Sequence, residues 1–93
     1  MIPASVFENI TELVREVGTS DEIAAEQKEV IIEEIKDVQS ELQKSEPSYS
    51  LLKKTIDRLK ERNSAVYEKL TGILKDPTVT YILSIAARKE IGI

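Results

Sequence analysis

Apolar residues recur along this chain at steps of three and four from its first turn to its last. Val6, Ile10, Leu13, Val14 and Val17 form one stripe at helical spacing. Ser5 and Glu8 sit three apart ahead of it, as in a capping box, and Gly18 follows it, where a left-handed cap commonly ends a helix. The spacing predicts a first helix over about 5–17. A second set, Ala24, Lys28, Ile31, Ile35, Val38 and Leu42, alternates by four and three behind Thr19-Ser-Asp-Glu22, another capping box. It predicts a helix over about 20–44. Pro47 cannot continue that helix, and Ser48 is placed to cap the next. Tyr49, Leu52, Ile56, Leu59, Asn63, Val66, Leu70 and Ile73 then hold an unbroken 3-4 pattern, which predicts a third helix over about 48–74. Asp76 as N-cap and Pro77 at the first helical position open a fourth over about 77–91, with Gly92 as its cap.

Length turns these elements into a shape. At 1.5 Å per residue the two middle helices, of about 24 to 27 residues each, run roughly 36 to 40 Å. A short turn between them forces an antiparallel hairpin. The outer helices are half as long and join at the hairpin's open end. The expectation is therefore an all-α fold, one domain over residues 1–93. It is a four-helix up-down bundle built on a long helical hairpin, whose tip at Pro47 projects beyond the outer helices. A turn centred on Pro47 sets Leu42 against Leu52, Val38 against Ile56, Ile35 against Leu59, and Ile31 against Asn63. The same register brings Glu34 beside Arg62 as a charge pair and Gln27 beside Lys69, and leaves Gln39 and Lys53 to solvent.

Asn63 is the plainly polar member of the third stripe. In the expected register it faces Ile31 and lies one turn from Lys28, a second polar residue in the seam. A buried asparagine in a helical seam costs stability unless bonded, yet it can fix register and oligomeric state, because slipped pairings leave it unsatisfied. A specificity device is the first reading, a half-exposed seam position the second and a ligand contact the third.

Composition narrows the chemistry. The 93 residues include no cysteine and no histidine. That removes disulfides, thiolate nucleophiles, ordinary zinc sites, the commonest general base and the commonest metal ligand. The three glycines stand far apart, so no glycine-rich phosphate loop is present. The Glu26, Glu29, Glu33, Glu34 and Asp37 carboxylates share helix faces but lack the glycine turn of a calcium loop, and read as a solvated face. No cofactor, no metal and no small-molecule substrate is expected, and the chain reads as non-enzymatic.

Charge divides the chain. Residues 1–47 carry 12 acidic and 4 basic side chains, and residues 48–93 carry 5 and 9. The hairpin explains the split, because an acidic second helix would lie along a basic third one. Lys53, Lys54, Arg58, Lys60 and Arg62 could instead meet nucleic-acid phosphates, but Asp57 and Glu61 interrupt them and no aromatic is interleaved for stacking. The longest nearly apolar run, Tyr81 to Ala87, is too short to span a bilayer, and MIPASVFE lacks a signal-peptide layout. A cytoplasmic protein is the default.

Two functional expectations follow. The first is an interaction module that pairs with itself, most simply as a dimer, through Val38, Leu42, Tyr49, Leu52 and Ile56 on the uncovered part of the hairpin. The second is an adaptor or targeting domain of a larger protein that binds another protein through its apolar last helix, with Val79, Ile82, Leu83 and Ala86 as the contact. Nucleic-acid binding through the basic third helix comes third.

Overall fold

The computed structural model describes residues 2–92. Its helices are α1 (Ala4–Thr19), α2 (Ala25–Leu42), α3 (Tyr49–Arg62), α4 (Ser64–Leu74) and α5 (Pro77–Glu90), and no strand occurs among the described residues. The all-α class stands. The four helices of the sequence reading become five, because the third is two.

The division falls at Asn63, where φ is −158° and ψ is 102°. One extended residue interrupts the helix. The Asn63 N–H still bonds to Leu59 O at 2.9 Å, closing α3, and Tyr67 N–H bonds to Asn63 O at 3.0 Å, opening α4. The Asn63 side chain accepts the Val66 N–H at 3.0 Å, as an N-cap does. Asparagine is a poor interior helix residue and among the best caps, since its short amide competes with the helix for nearby N–H groups. Asn63 is a half-buried cap at a corner between two helices. The 3-4 pattern did not reveal the corner because both helices keep their apolar faces in phase across it.

The other boundaries shift for local reasons. α1 begins at Ala4 behind Pro3, so Ser5 lies inside the first turn and caps nothing. It runs through Gly18, which does not take the left-handed conformation; among the described residues only Gly92 does, at φ 77°. Two groups accept the role expected of Gly18. Thr19 Oγ1 donates to Arg15 O at 3.1 Å, and Lys28 Nζ donates to Gly18 O at 3.2 Å, placing a cation on the negative end of α1. The Lys28 ammonium thus leaves the seam to cap a helix. The Thr19–Glu22 box does not form, because Ser20 Oγ accepts the Glu22 N–H at 3.2 Å and turns the chain before α2 starts. Ser48 and Asp76 do cap. Ser48 Oγ accepts from Leu51 N–H at 3.3 Å, and Asp76 Oδ1 from Thr78 N–H at 2.9 Å.

α1 packs on α2, α2 on α3, α3 on α4 and α4 back on α1, with α5 laid against α3. Inside this ring lie Ile10, Ile31, Ile35, Leu59 and Leu70, all at most 1% exposed. The molecule measures 44 × 24 × 18 Å. The hairpin tip does not project bare. Ile2 from the N-terminal segment and the last turns of α5 cover it, so Val38, Leu42 and Leu52 are buried and Tyr49 and Ile56 half-buried. Three of the five residues expected to meet a second copy are therefore inside the molecule, and two reach its surface in part. Breaking the third helix at Asn63 shortens it and lets α5 return toward the tip. Gln39, expected in solvent, donates to Phe7 O at 3.3 Å and to Thr11 Oγ1 at 3.2 Å, tying α2 to α1. Lys69 pairs with Glu16 at 3.3 Å rather than lying beside Gln27.

Candidate functional site

The tip of the α2–α3 hairpin is organised by two carboxylates that both stand at the wrong end of their own helix. Glu41 lies in the last turn of α2, where the helix dipole disfavours a negative charge. Its compensation comes from the turn. Oε1 accepts from Lys44 Nζ at 2.9 Å and Oε2 accepts from the Ser48 N–H at 2.8 Å, and the residue is buried. Glu90, the last residue of α5, reaches the same helix start. It accepts from Ser48 Oγ at 3.1 Å and from the Ser50 N–H at 2.9 Å. Both charges thus sit at the positive N-terminus of α3. Lys89 completes the clasp with Glu46 at 3.1 Å.

The Lys44 bond, then the Ser48 N–H, hold the Glu41 carboxyl below the ordinary glutamate value, outweighing the upward push of burial. A depressed carboxyl contributes stability that is present above its unfolded pKa of about 4.3 and is lost as pH falls through the folded value. The Lys44 side chain is 60% exposed, so water screens that limb of the interaction. Glu41→Gln is expected to cost about 1 to 2 kcal/mol at neutral pH, and to leave thermal unfolding less sensitive to acid below roughly pH 4.5 than in the parent. Melting curves from pH 7 to pH 3 check this; parallel pH dependence in the two proteins contradicts it.

Behind the clasp lies an open apolar groove. One part, of about 370 Å³, runs between α5 and the turn and is floored by Pro47, Ile82, Ile85 and Ala86, with Glu46 and Lys89 at its mouth. A second part, of about 430 Å³, continues from Pro47 and Ile82 toward Ile2, Phe7 and Leu42. Beside the groove α5 exposes Tyr81, one turn from Ile85, and Ile91 beyond its end; these are 66% and 68% exposed.

The structure separates the residues singled out in the sequence. Val79 and Ala86 are buried under α5, and Ile82 and Leu83 are half-buried. Of these four, only Ile82 and Ala86 line the groove. Arg62 Nε lies 3.0 Å from the Glu34 carboxylate and joins α3 to α2. Asn63 accepts from the Val66 N–H, Lys28 donates to Gly18 O, and Ile31 is buried in the ring. Of the five cations on α3, three are engaged internally: Lys53 with Asp57 at 3.0 Å, Arg62 with Glu34, and Lys60 above the Tyr67 ring at 5.4 Å. No helix among the described residues is long and apolar enough to cross a membrane. No cluster of three or more metal-ligating side chains occurs among them either.

Glu41, Glu90 and Ile85 were not picked out as site residues. A signal for the first two exists in the sequence, since an acid in the last turn of a helix is unfavourable unless something cationic or a helix start compensates it. For Ile85 no such signal exists, because its neighbours on α5 are as apolar as it is. Comparison with family models, with curated proteins and with solved structures finds no match to this chain.

Proposed function

We propose that this chain is a non-enzymatic, cytoplasmic protein-interaction module that receives another protein in the groove between α5 and the hairpin tip. The observation that supports this is the groove's composition: half-buried Pro47, Ile82 and Ile85 meet at one place over buried Ala86, and exposed Tyr81 stands at their edge. The polar groups around it serve the fold. Glu41, Glu90, Ser48 and Lys89 are all engaged in holding the tip, which leaves apolar contact as the groove's main resource. A rigid apolar groove with a polar rim suits an amphipathic helix or short apolar peptide.

This reading follows the second of the two expectations, binding through the last helix. The first keeps less surface than expected, because Val38, Leu42 and Leu52 are inside the molecule and Tyr49 and Ile56 are half-buried. The nucleic-acid reading weakens for an equivalent reason, since three cations of the basic run have internal partners.

Ile85→Glu tests the proposal. Ile85 is half-exposed, so the fold should tolerate the change with a melting temperature within a few degrees of the parent. The parent chain, immobilised, is expected to retain a discrete protein from lysate and to bind an environment-sensitive apolar dye, and the variant is expected to lose both. Equal retention of the same protein by parent and variant rejects the groove.

A further inference from the structure

The corner at Asn63 differs from an ordinary interhelical turn in three ways. It is one residue long. The hydrogen-bond ladder closes on that residue from one side and reopens from it on the other, through Asn63 N–H to Leu59 O and Tyr67 N–H to Asn63 O. And the apolar stripe runs through it without a change of phase: Leu52, Leu59, Val66 and Leu70 are buried, with Ile56 and Ile73 half-buried. A chain with these properties has a second conformation close at hand. If Asn63 takes helical dihedrals, residues 49–74 become one straight helix. The N–H groups of 64, 65 and 66 then bond to the carbonyls of 60, 61 and 62, and the Val66 N–H gives up the Asn63 side chain that it now uses.

Straightening carries α4 and α5 away from their present places. What they leave behind is specific. α4 packs on α1 and α3, α5 packs on α3, and the clasp joins Lys89 and Glu90 to Glu46, Ser48 and Ser50. Every one of those surfaces belongs to residues 2–62. A second copy straightened at the same residue can therefore supply an identical α4 and α5, and all contacts except those across the corner itself are restored. The apolar faces exposed by opening include Leu70 and Val79, both 0% exposed in the closed form.

We propose that Asn63 is a hinge through which two copies of this chain exchange α4 and α5, forming a two-fold dimer. The occupant of each opened bundle is the second copy, because only it carries the matching helices. Asn63 sets the balance. Its side chain caps α4 in the bent form and has no comparable role inside a straight helix, so the cap holds the chain as a monomer and its loss favours exchange. Protein concentration and refolding conditions then decide which form accumulates. The exchange is independent of the groove reading, since the dimer keeps both grooves and Ile85→Glu leaves it intact.

The experiment exploits the absence of cysteine from the chain. Glu16 on α1 and Lys69 on α4 meet at their side-chain tips, so a short bis-maleimide across Glu16→Cys and Lys69→Cys marks the α1–α4 packing. In a monomer the cross-link closes within one chain; in the exchanged dimer it joins two chains. The cysteine pair is placed in Asn63→Leu, in Asn63→Ala and in Asn63→Asp, which retains a capping oxygen. Each is refolded at high concentration, cross-linked, and examined by light scattering and by denaturing gel. Asn63→Leu and Asn63→Ala are expected to scatter at twice the chain mass and to run as covalent dimers, whereas Asn63→Asp stays monomeric with an internal cross-link. The proposal is overturned if both substitutions leave a monomer or fail to fold. It is overturned equally by a dimer whose cross-links stay within each chain.

Discussion

Leu59→Ala is expected to remove about 3 to 4 kcal/mol of stability and to lower the melting temperature by roughly 15 to 25 °C. Leu59 is 0% exposed, in the last turn of α3, which packs on α2, where Ile35 is also 0% exposed. Both are enclosed by the ring of α1 to α4, so the surrounding helices cannot collapse into the space without disturbing one another. Deleting the side chain therefore costs the lost transfer energy and a cavity besides. For a domain of this length the total stability is of order 5 to 14 kcal/mol, so one such change takes a large share of it. Leu51 is the control. It lies on the same helix but is 46% exposed, and Leu51→Ala should cost less than about 1 kcal/mol. Thermal unfolding followed by circular dichroism compares the two; equal losses would contradict the placement of the core around Leu59.

The core was legible because helical burial is periodic. Val6, Ile10, Leu13 and Val17 are all buried as their spacing required, as are Ile31, Ile35, Val38 and Leu42. Caps with a strong chemical signature were legible too: Ser48 and Asp76-Pro77 open their helices where the sequence placed them. The failures share a cause. Ser5 and Gly18 carry motifs that a neighbour made redundant, Pro3 in one case and Lys28 with Thr19 in the other. Asn63 is the consequential failure. A one-residue break preserves the phase of the stripe, so periodicity cannot detect it. The one available clue was the residue itself, a strong capper where an apolar residue was due. Once the third helix is broken, α5 can reach the tip, and the projection expected from helix lengths alone does not form.

The candidate site was less legible than the core. An apolar last helix was evident from composition, but which of its faces stays open depends on what packs on the others. That depends in turn on the corner at Asn63 and on Ile2 covering the tip. The clasp combines residues far apart in the chain, since Glu90 bonds Ser48 and Lys89 bonds Glu46. Local sequence reasoning can say that a C-terminal acid needs compensation; it cannot say which helix start supplies it.

Arg62→Ala is expected to destabilise the fold by about 2 to 3 kcal/mol, more than an exposed ion pair could account for. Its partner explains the size. Glu34 is buried against α3, and the Arg62 guanidinium Nε lies 3.0 Å from its carboxylate, with hydrogen-bond geometry toward Oε2. Glu34 Oε1 has no hydrogen-bond partner among the described residues. Removing Arg62 strands a carboxylate whose solvation is already incomplete, and that penalty dominates the measurement. The Arg62 side chain is 37% exposed, so water can enter as it leaves, which places the expected loss below the 3 to 5 kcal/mol typical of fully enclosed pairs. The reverse change separates a stranded charge from a lost attraction. Glu34→Leu removes the buried carboxylate and leaves Arg62 free to turn to solvent, so it should be neutral or mildly stabilising. Chemical denaturation of both variants is the check, and a loss in Glu34→Leu as large as that in Arg62→Ala would mean that the pair itself is strongly stabilising. The expected asymmetry assigns the pair a different part. It costs nearly as much to bury as it returns, but it fixes where α3 ends along α2, one residue before the corner on which α4 and α5 depend.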